Sequence, residues 1–373
     1  MRSINVVFLC NLGSRFPLMI IEGLLKIKNV KVDVSHTFYY LGKPILKNTP
    51  FEELKEKLLS CDYIFRSDNQ HFVNRKKYDQ FIDENKLWKK CVIIDFADSY
   101  YIRDKKNYKN CLIYFKRSWL MGCKRKTPPK RKKAFPIQYA ILEKYITSIK
   151  NYNSKKKYNI LYISSKRLKK RMHDFNKGGV YKVLYERFLN SLNEFNSRTI
   201  NTMRKDIRKR FELKTRRFKT YYELLRSNIP NSLIGANTGG SHMDIFYPAN
   251  ENNKWIEYMK LLKKAKIIFT ACPWNHDGDS RTWEAMSSGS LVFMDNTLIP
   301  THPFKDSKHV FYYDASSRKS IKEAIKKAKY YLMPENESER RKIAEKGKEY
   351  ALKYHMSKNR IKYVFDCIEK FRS

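Results

Sequence analysis

Trp274-Asn-His-Asp-Gly-Asp-Ser-Arg-Thr-Trp-Glu-Ala-Met-Ser-Ser-Gly-Ser-Leu-Val-Phe-Met-Asp295 decides the fold class of this chain. Lys266 to Thr270 ahead of it and Ser290 to Met294 inside it are short apolar runs of the kind that form buried parallel strands. Between them Ser280 can act as N-cap, a two-turn helix then covers about Arg281 to Ser288, and Gly289 can take the left-handed conformation that ends it. Strand, loop, short helix and strand is the unit of an α/β fold. The start of its helix offers unpaired N–H groups and a positive dipole end, a combination that suits phosphate.

The side chains sharpen that reading. Arg281 on the first turn can donate two parallel hydrogen bonds to a phosphate, and Glu284 one turn on can accept from the hydroxyls of a ribose. The predicted ligand is a nucleoside diphosphate, with Ser280, Ser287, Ser288, Gly289 and Asp279 completing the candidate donor-binding set. Trp283, Met286 and Leu291 read instead as core, since large apolar residues in short buried elements usually pack.

At these residues the chain resembles the GT-B glycosyltransferases, in particular nucleotide-sugar enzymes of the family 1 and family 4 type. Their pattern of an acidic residue, Arg, Trp-Glu-Ala, Gly and an apolar strand stands here as Asp277 or Asp279, Arg281, Trp283-Glu284-Ala285, Gly289 and Leu291-Val292-Phe293. Asp295, His309 and Tyr312-Tyr313-Asp314 follow at the usual downstream positions, and the similarity covers about 110 residues of the C-terminal end. The resemblance implies two Rossmann-like domains facing each other across a cleft, with sugar transferred to a hydroxyl of a glycan, lipid or protein glycan. It also implies that Lys166 and Arg167, beyond a strand at Tyr158 to Ser164, bind the donor pyrophosphate; Lys116 and Arg117 resemble an element that faces the donor phosphates in some relatives, a solvated face of the surrounding basic run being the equal alternative. One departure stands out: family 4 places two Glu residues eight positions apart, and eight before Glu284 stands His276. The first acidic role is then missing, moved to Asp277 or Asp279, or replaced by a different role for His276.

A second reading of Asp277-Gly278-Asp279 is a divalent-metal site of oxygen ligands. Arg and Glu on a phosphate-facing helix fit metal-free stabilisation of the leaving group better, so no obligatory metal or other cofactor is expected, the nucleotide sugar being substrate.

The N-terminal half opens with a strand at Ile4 to Cys10 and a helix near Pro17 to Lys26, a Rossmann-like entry without the Gly-x-Gly-x-x-Gly fingerprint. Further strands at Tyr63 to Arg66, Val92 to Phe96 and Leu112 to Phe115 end in polar residues, where a cleft would be lined. Asp98, Asp68 and His71 are the candidates for a general base, in that order. An Asn/Ser/Lys-rich stretch near Ile149 to Lys157 predicts the boundary, giving an acceptor domain over 1–150, a donor domain over 151–340 and a C-terminal helix over 341–373 that crosses back to the first domain. Residues 178–228 read as two long helices, Leu233 to Asn237 as a strand, and Asn237 to His242 as a Gly-rich loop.

At 373 residues and 42% hydrophobic content the chain can bury two cores, and 14% aromatic content argues against disorder. No apolar run approaches the roughly 20 residues that span a bilayer, and Ile4 to Cys10 is too short for a secretory signal. Seven cysteines without paired spacing point to reduced, mostly buried thiols, so the expected location is the cytoplasm.

A net charge of +41 exceeds what solubility asks for and is unevenly placed. Lys116 to Lys133 carries nine basic residues and no acid, Ser164 to Lys219 eighteen against five, and Lys263 to Pro300 four of each. Basicity therefore belongs to surfaces around the site. Three partners would account for it: anionic membrane lipid, for which Trp119, Leu120 and Met121 among the cations argue, nucleic acid, or an acidic glycan. Compositional drift accounts for it equally well. The rival functions are a DNA-modifying glycosyltransferase and a non-enzymatic nucleic-acid-binding protein, the latter disfavoured because no zinc finger, RRM or homeodomain signature is present.

Overall fold

A computed structural model describes residues 2–10, 15–40, 43–67, 74–96, 102, 105–117, 133–150, 152, 155–163, 216–217, 219–234, 254–272, 280–296, 299 and 301–373. Two parallel sheets organise them. The first contains β1 (Ile4–Leu9), β2 (Val30–Val34), β5 (Tyr63–Ser67), β6 (Cys91–Asp95), β7 (Ile113–Lys116) and β8 (Ala134–Pro136), in the order β2-β1-β5-β6-β7-β8. A small antiparallel hairpin, β3 (Phe38–Tyr40) and β4 (Lys43–Leu46), sits beside it. The second sheet contains β9 (Tyr158–Tyr162), β10 (Leu233–Ile234), β11 (Ala265–Thr270), β12 (Leu291–Asp295) and β13 (Phe311–Tyr313), in the order β10-β9-β11-β12-β13.

Parallel strands are covered on both faces, so their apolar runs are continuous and the two-residue period divides each run between two cores. In β6 every residue is buried. Val92 and Ile94 join a cluster with α1 (Arg15–Leu25) and α5 (Glu143–Ser148), while Cys91 and Ile93 join another with α2 (Phe51–Ser60), α3 (Arg75–Glu84) and α4 (Lys105–Asn110). The second sheet divides likewise. Leu161, Ile268, Val292 and Met294 face α6 (Lys254–Lys263) and α7 (Ser280–Ser287), and Ile160, Ile267, Phe269 and Phe293 face α8 (Arg318–Leu332) and α9 (Glu337–Tyr354). The cluster around α1 is continuous with the one beneath α7, so one apolar core joins the two sheets. The six described cysteines are free and buried.

The C-terminal end departs from expectation. In place of one helix over 341–373, the chain forms α9 and α10 (Ser357–Arg372), separated at His355 and Met356. Met356 is extended at φ −73° and ψ 158°, and the backbone bonds of the break go to Ile141: Ile141 N donates to His355 O at 2.8 Å and Ser357 N donates to Ile141 O at 3.0 Å. A tertiary partner thus replaces two helical hydrogen bonds. Beyond the break α10 packs on α1, where Gly23 allows the backbones to approach so closely that an added Cβ would lie 2.6 Å from Ser357 O. The Glu22 carboxylate closes the contact, accepting from Ser357 Oγ at 2.6 Å and from Glu143 N at 2.9 Å.

Of the two long helices expected over 178–228, only 216–217 and 219–228 lie among the described residues; 216–217 and 219–226 are helical and 227–228 form a turn. The predicted strand is present at Leu233–Ile234, while Asn237 to His242 lie outside them.

Candidate functional site

The site begins with a topological reversal. Among the described strands, β9 is followed by β10 on one side and by β11 on the other, so connections leave β9 and β11 in opposite directions. A crevice opens at the carboxyl ends of two such strands. The cleft found there is lined by Ile163, Tyr258, Leu262, Ile268, Phe269, Thr270, Ala271 and Arg281. Helix α7 then runs from the carboxyl end of β11 back to the start of β12, which brings its first turn to this edge.

Local sequence explains α7. Thr282, Trp283, Glu284, Ala285, Met286 and Ser287 are all buried, so the helix is enclosed and only its first turn borders the cleft. The Trp283 ring is fully buried against His355 at 4.6 Å and Phe304 at 5.8 Å, with the Arg360 guanidinium 5.4 Å from it. Trp283, Met286 and Leu291 are core, as expected. Glu284 is only 4% exposed, and its Oε2 accepts a hydrogen bond from the Tyr258 hydroxyl at 2.9 Å. A carboxylate with one oxygen held by a phenol in this way has a set orientation beside the cleft.

The far end of α7 is a different place. Ser287 Oγ donates to Glu284 O at 2.8 Å, Ser288 Oγ donates to Ala285 O at 2.6 Å, and Gly289 takes φ +73°. All three satisfy or end the last turn, and an eight-residue helix places them about 12 Å from its start. Ser287, Ser288 and Gly289 therefore belong to the terminus and not to the candidate donor site. Ser280 is likewise corrected: the helix already includes it, so it is the first helical residue and not the N-cap.

Asp295, at the end of β12, is the hub of this sheet edge. It is fully buried, with Oδ1 accepting from Arg216 at 2.6 Å and from Ala315 N at 3.0 Å, and Oδ2 accepting from Arg216 Nε at 3.2 Å and from Cys272 N at 3.1 Å. Burial disfavours the Arg216 cation, but the bonds and charge of Asp295 outweigh it and raise its pKa. Tyr313 adds a bond from its hydroxyl to Thr270 O at 3.0 Å. Sequence reading counted Arg216 only as one cation in a basic run, and nothing local distinguishes it. His309, one of the downstream positions, stacks on Tyr350 at 4.2 Å and accepts from Lys305 N at 3.1 Å, and burial lowers its pKa.

Residues 219–366 match the family model described as glycosyl transferase-like. No curated protein matches the chain. Two solved structures align over nearly its whole length. A glycosyltransferase from Rickettsia africae gives a TM-score of 0.52 at 11% identity, covering 100% of both chains. Sucrose-phosphate synthase from Thermosynechococcus elongatus gives 0.52 at 9% identity, covering 99% of both. The fold is GT-B, with a glycosyl transferase-like C-terminal region.

In this GT-B frame the remaining candidates fall into three groups. Arg281 lines the cleft at the carboxyl edge of the second sheet, and Glu284 is buried one turn further on, bonded to the cleft-lining Tyr258. Asp68, His71, Asp98, Lys166, Arg167, His276, Asp277 and Asp279 lie outside the described residues. Lys116 and Arg117, expected to face the donor phosphates, are instead part of the first sheet's interior. Lys116 Nζ is 2.8 Å from Asp95 Oδ2 with both side chains 1% exposed, and Arg117 donates to Phe96 O at 2.8 Å and lies over the Tyr139 ring. A cation at the end of a buried parallel strand is drawn to the nearest buried carboxylate, because burial unpaired would cost far more.

Proposed function

We propose that this chain transfers a glycosyl group from a nucleoside diphosphate sugar to a hydroxyl of a glycan, lipid or protein glycan held between the two sheets. The observation that carries the reading is the placement of Arg281, on the first turn of α7, at the reversal point of the second sheet. As the glycosidic bond breaks, negative charge grows on the leaving diphosphate. A guanidinium and helix N–H groups already oriented at that position stabilise it more in the transition state than in the ground state. Glu284, oriented by Tyr258, accepts from the ribose hydroxyls. The reading needs no metal, since positive charge from Arg281 and from Lys166 and Arg167, three and four residues beyond the cleft-lining Ile163, meets the diphosphate. Asp98 or Asp68, shortly after the ends of β6 and β5, serves as the base that takes the acceptor proton. The proposed organisation is an acceptor domain over 1–150 and a donor domain over 151–340.

The fold and the family match support neither a nucleic-acid-binding protein nor a DNA-modifying enzyme, and no described helix is long and apolar enough to cross a membrane. The test is a panel of nucleotide sugars, scored for thermal stabilisation and slow hydrolysis with wild type, Arg281→Ala and Glu284→Ala. At least one donor should raise the wild-type melting temperature and lose that effect in both variants. A panel without any stabilising member would remove the proposal.

A further inference from the structure

We propose that the Thr270 hydroxyl is a ligand-contacting group of the donor cleft, donating a hydrogen bond to the diphosphate of a bound nucleoside diphosphate alongside Arg281. The inference rests on the donor-site reading above and adds to it a residue that neither the sequence pattern nor the family resemblance marks.

The side-chain alternation of β11 makes the argument. Ile267 and Phe269 belong to the core beneath α8 and α9, whereas Ile268 belongs to the opposite face, with Tyr258 and Leu262 of α6. Thr270 shares that face by its two-residue spacing from Ile268, and it is the last residue of the strand. It lines the same cleft as Arg281 and Tyr258.

Its backbone and side chain have different fates. The carbonyl oxygen accepts from Tyr313 OH at 3.0 Å. The side chain is only 7% exposed, and among the described residues its Oγ1 has no hydrogen-bond partner. A buried hydroxyl without a partner weakens a fold, and valine would fill the same β-branched shape in an Ile-Ile-Phe strand without that defect. The fold therefore gains nothing from the oxygen, and a ligand entering the cleft does. The neighbouring Arg281 cation selects an anion, and the Tyr258-held carboxylate of Glu284 selects hydroxyls next to it. A phosphate joined to a ribose carries both.

The experiment compares wild type, Thr270→Val, Thr270→Ser and Arg281→Ala, measuring the melting temperature of the ligand-free protein and the Kd for UDP, GDP, ADP and CDP by calorimetry. Thr270→Val should keep or raise the ligand-free melting temperature while weakening the tightest-bound nucleotide about tenfold, and Thr270→Ser should bind within a factor of about three of wild type. Opposite signs on stability and affinity are the signature, because a purely structural hydroxyl would lose stability on removal and leave Kd alone. If Arg281→Ala loses affinity but Thr270→Val binds like wild type, this inference fails and the donor site stands. If Thr270→Val only melts earlier, a buried water is the partner and the inference also fails. Should no nucleotide bind wild type, both fall together.

Discussion

The Tyr258 hydroxyl and the Glu284 carboxylate meet at 2.9 Å although 26 residues separate them, joining α6 to α7 at the edge of the proposed donor cleft. Tyr258 is 5% exposed and Glu284 4% exposed, so the bond is made almost out of water. Buried hydrogen bonds to a charged group contribute about 1.5–3 kcal/mol. Tyr258→Phe should therefore raise the donor KM by about tenfold or more and leave kcat nearly unchanged, since the ribose contact is made equally in ground and transition states. Steady-state kinetics with the best donor of the panel checks this. A fall in kcat with an unaltered KM would contradict the role given to Glu284.

Arg281 holds the donor diphosphate and acts where charge develops, so its loss should lower kcat as well as weaken donor binding. Arg281→Ala should lower kcat by about a hundredfold, roughly 3 kcal/mol of transition-state stabilisation. Arg281→Lys should recover part of it, because an ammonium supplies the charge but not the two parallel bonds. Equal kcat in all three proteins would place the cation elsewhere.

Asp295 makes a prediction about stability. All four bonds to its carboxylate come from donors: two from Arg216 and one each from Cys272 N and Ala315 N. An Asn at this position would turn its NH2 toward donors whichever way it is flipped, leaving Arg216 with only the longer contact to Asp314 at 3.4 Å. Asp295→Asn should cost about 3–5 kcal/mol, read from urea unfolding.

His355 makes a prediction about pH. Its Nδ1 accepts from Arg360 at 2.7 Å and its Nε2 donates to His302 O at 2.9 Å, the tautomer that a neighbouring cation requires. Burial, followed by the charge of Arg360, lowers its pKa to about 2. An unfolded histidine titrates near 6.5, so below that pH the unfolded chain takes up a proton that the folded chain refuses. The stability contributed by the neutral ring is complete above pH 6.5 and is lost as pH falls, by about 2 kcal/mol at pH 5. His355→Gln should be less stable at pH 8 and should show a shallower loss between pH 7 and pH 5. Parallel pH profiles of wild type and variant would contradict the assignment.

Gly23 tests how α10 is seated. A methyl group there would press on Ile361 Cγ1 and on the Ser357 carbonyl of α10, and backbone cannot move aside as a flexible side chain can. Gly23→Ala should destabilise by about 1–3 kcal/mol despite the better helix propensity of alanine. Thermal melting of the purified variant checks the sign.

Much of the fold was legible because parallel strands announce themselves as short apolar runs, and β1, β5, β6, β7, β9, β11 and β12 all occur where such runs stand. The helix between β11 and β12 was legible for the same reason, and Gly289 marks its end. What local pattern misjudged were polar side chains. Ser287 and Ser288 look like ligand donors in sequence, yet they bond the carbonyls of their own helix. Lys116 and Arg117 look like phosphate-facing cations, yet buried partners on the first sheet hold them. Arg216 was lost among like charges, and Tyr258 gave no signal, because each takes its meaning from a carboxylate dozens of residues away.

The sequence by itself determined the α/β class, the strand and helix that frame the candidate site, and the pairing of Arg281 with Glu284 on one short helix. Those depend on hydrophobic period and capping, which act over a few residues. Tertiary structure alone decided which polar groups reach the cleft and where the C-terminal helix breaks. A buried charge or hydroxyl is governed by its nearest partner in space, and chain order does not record that distance.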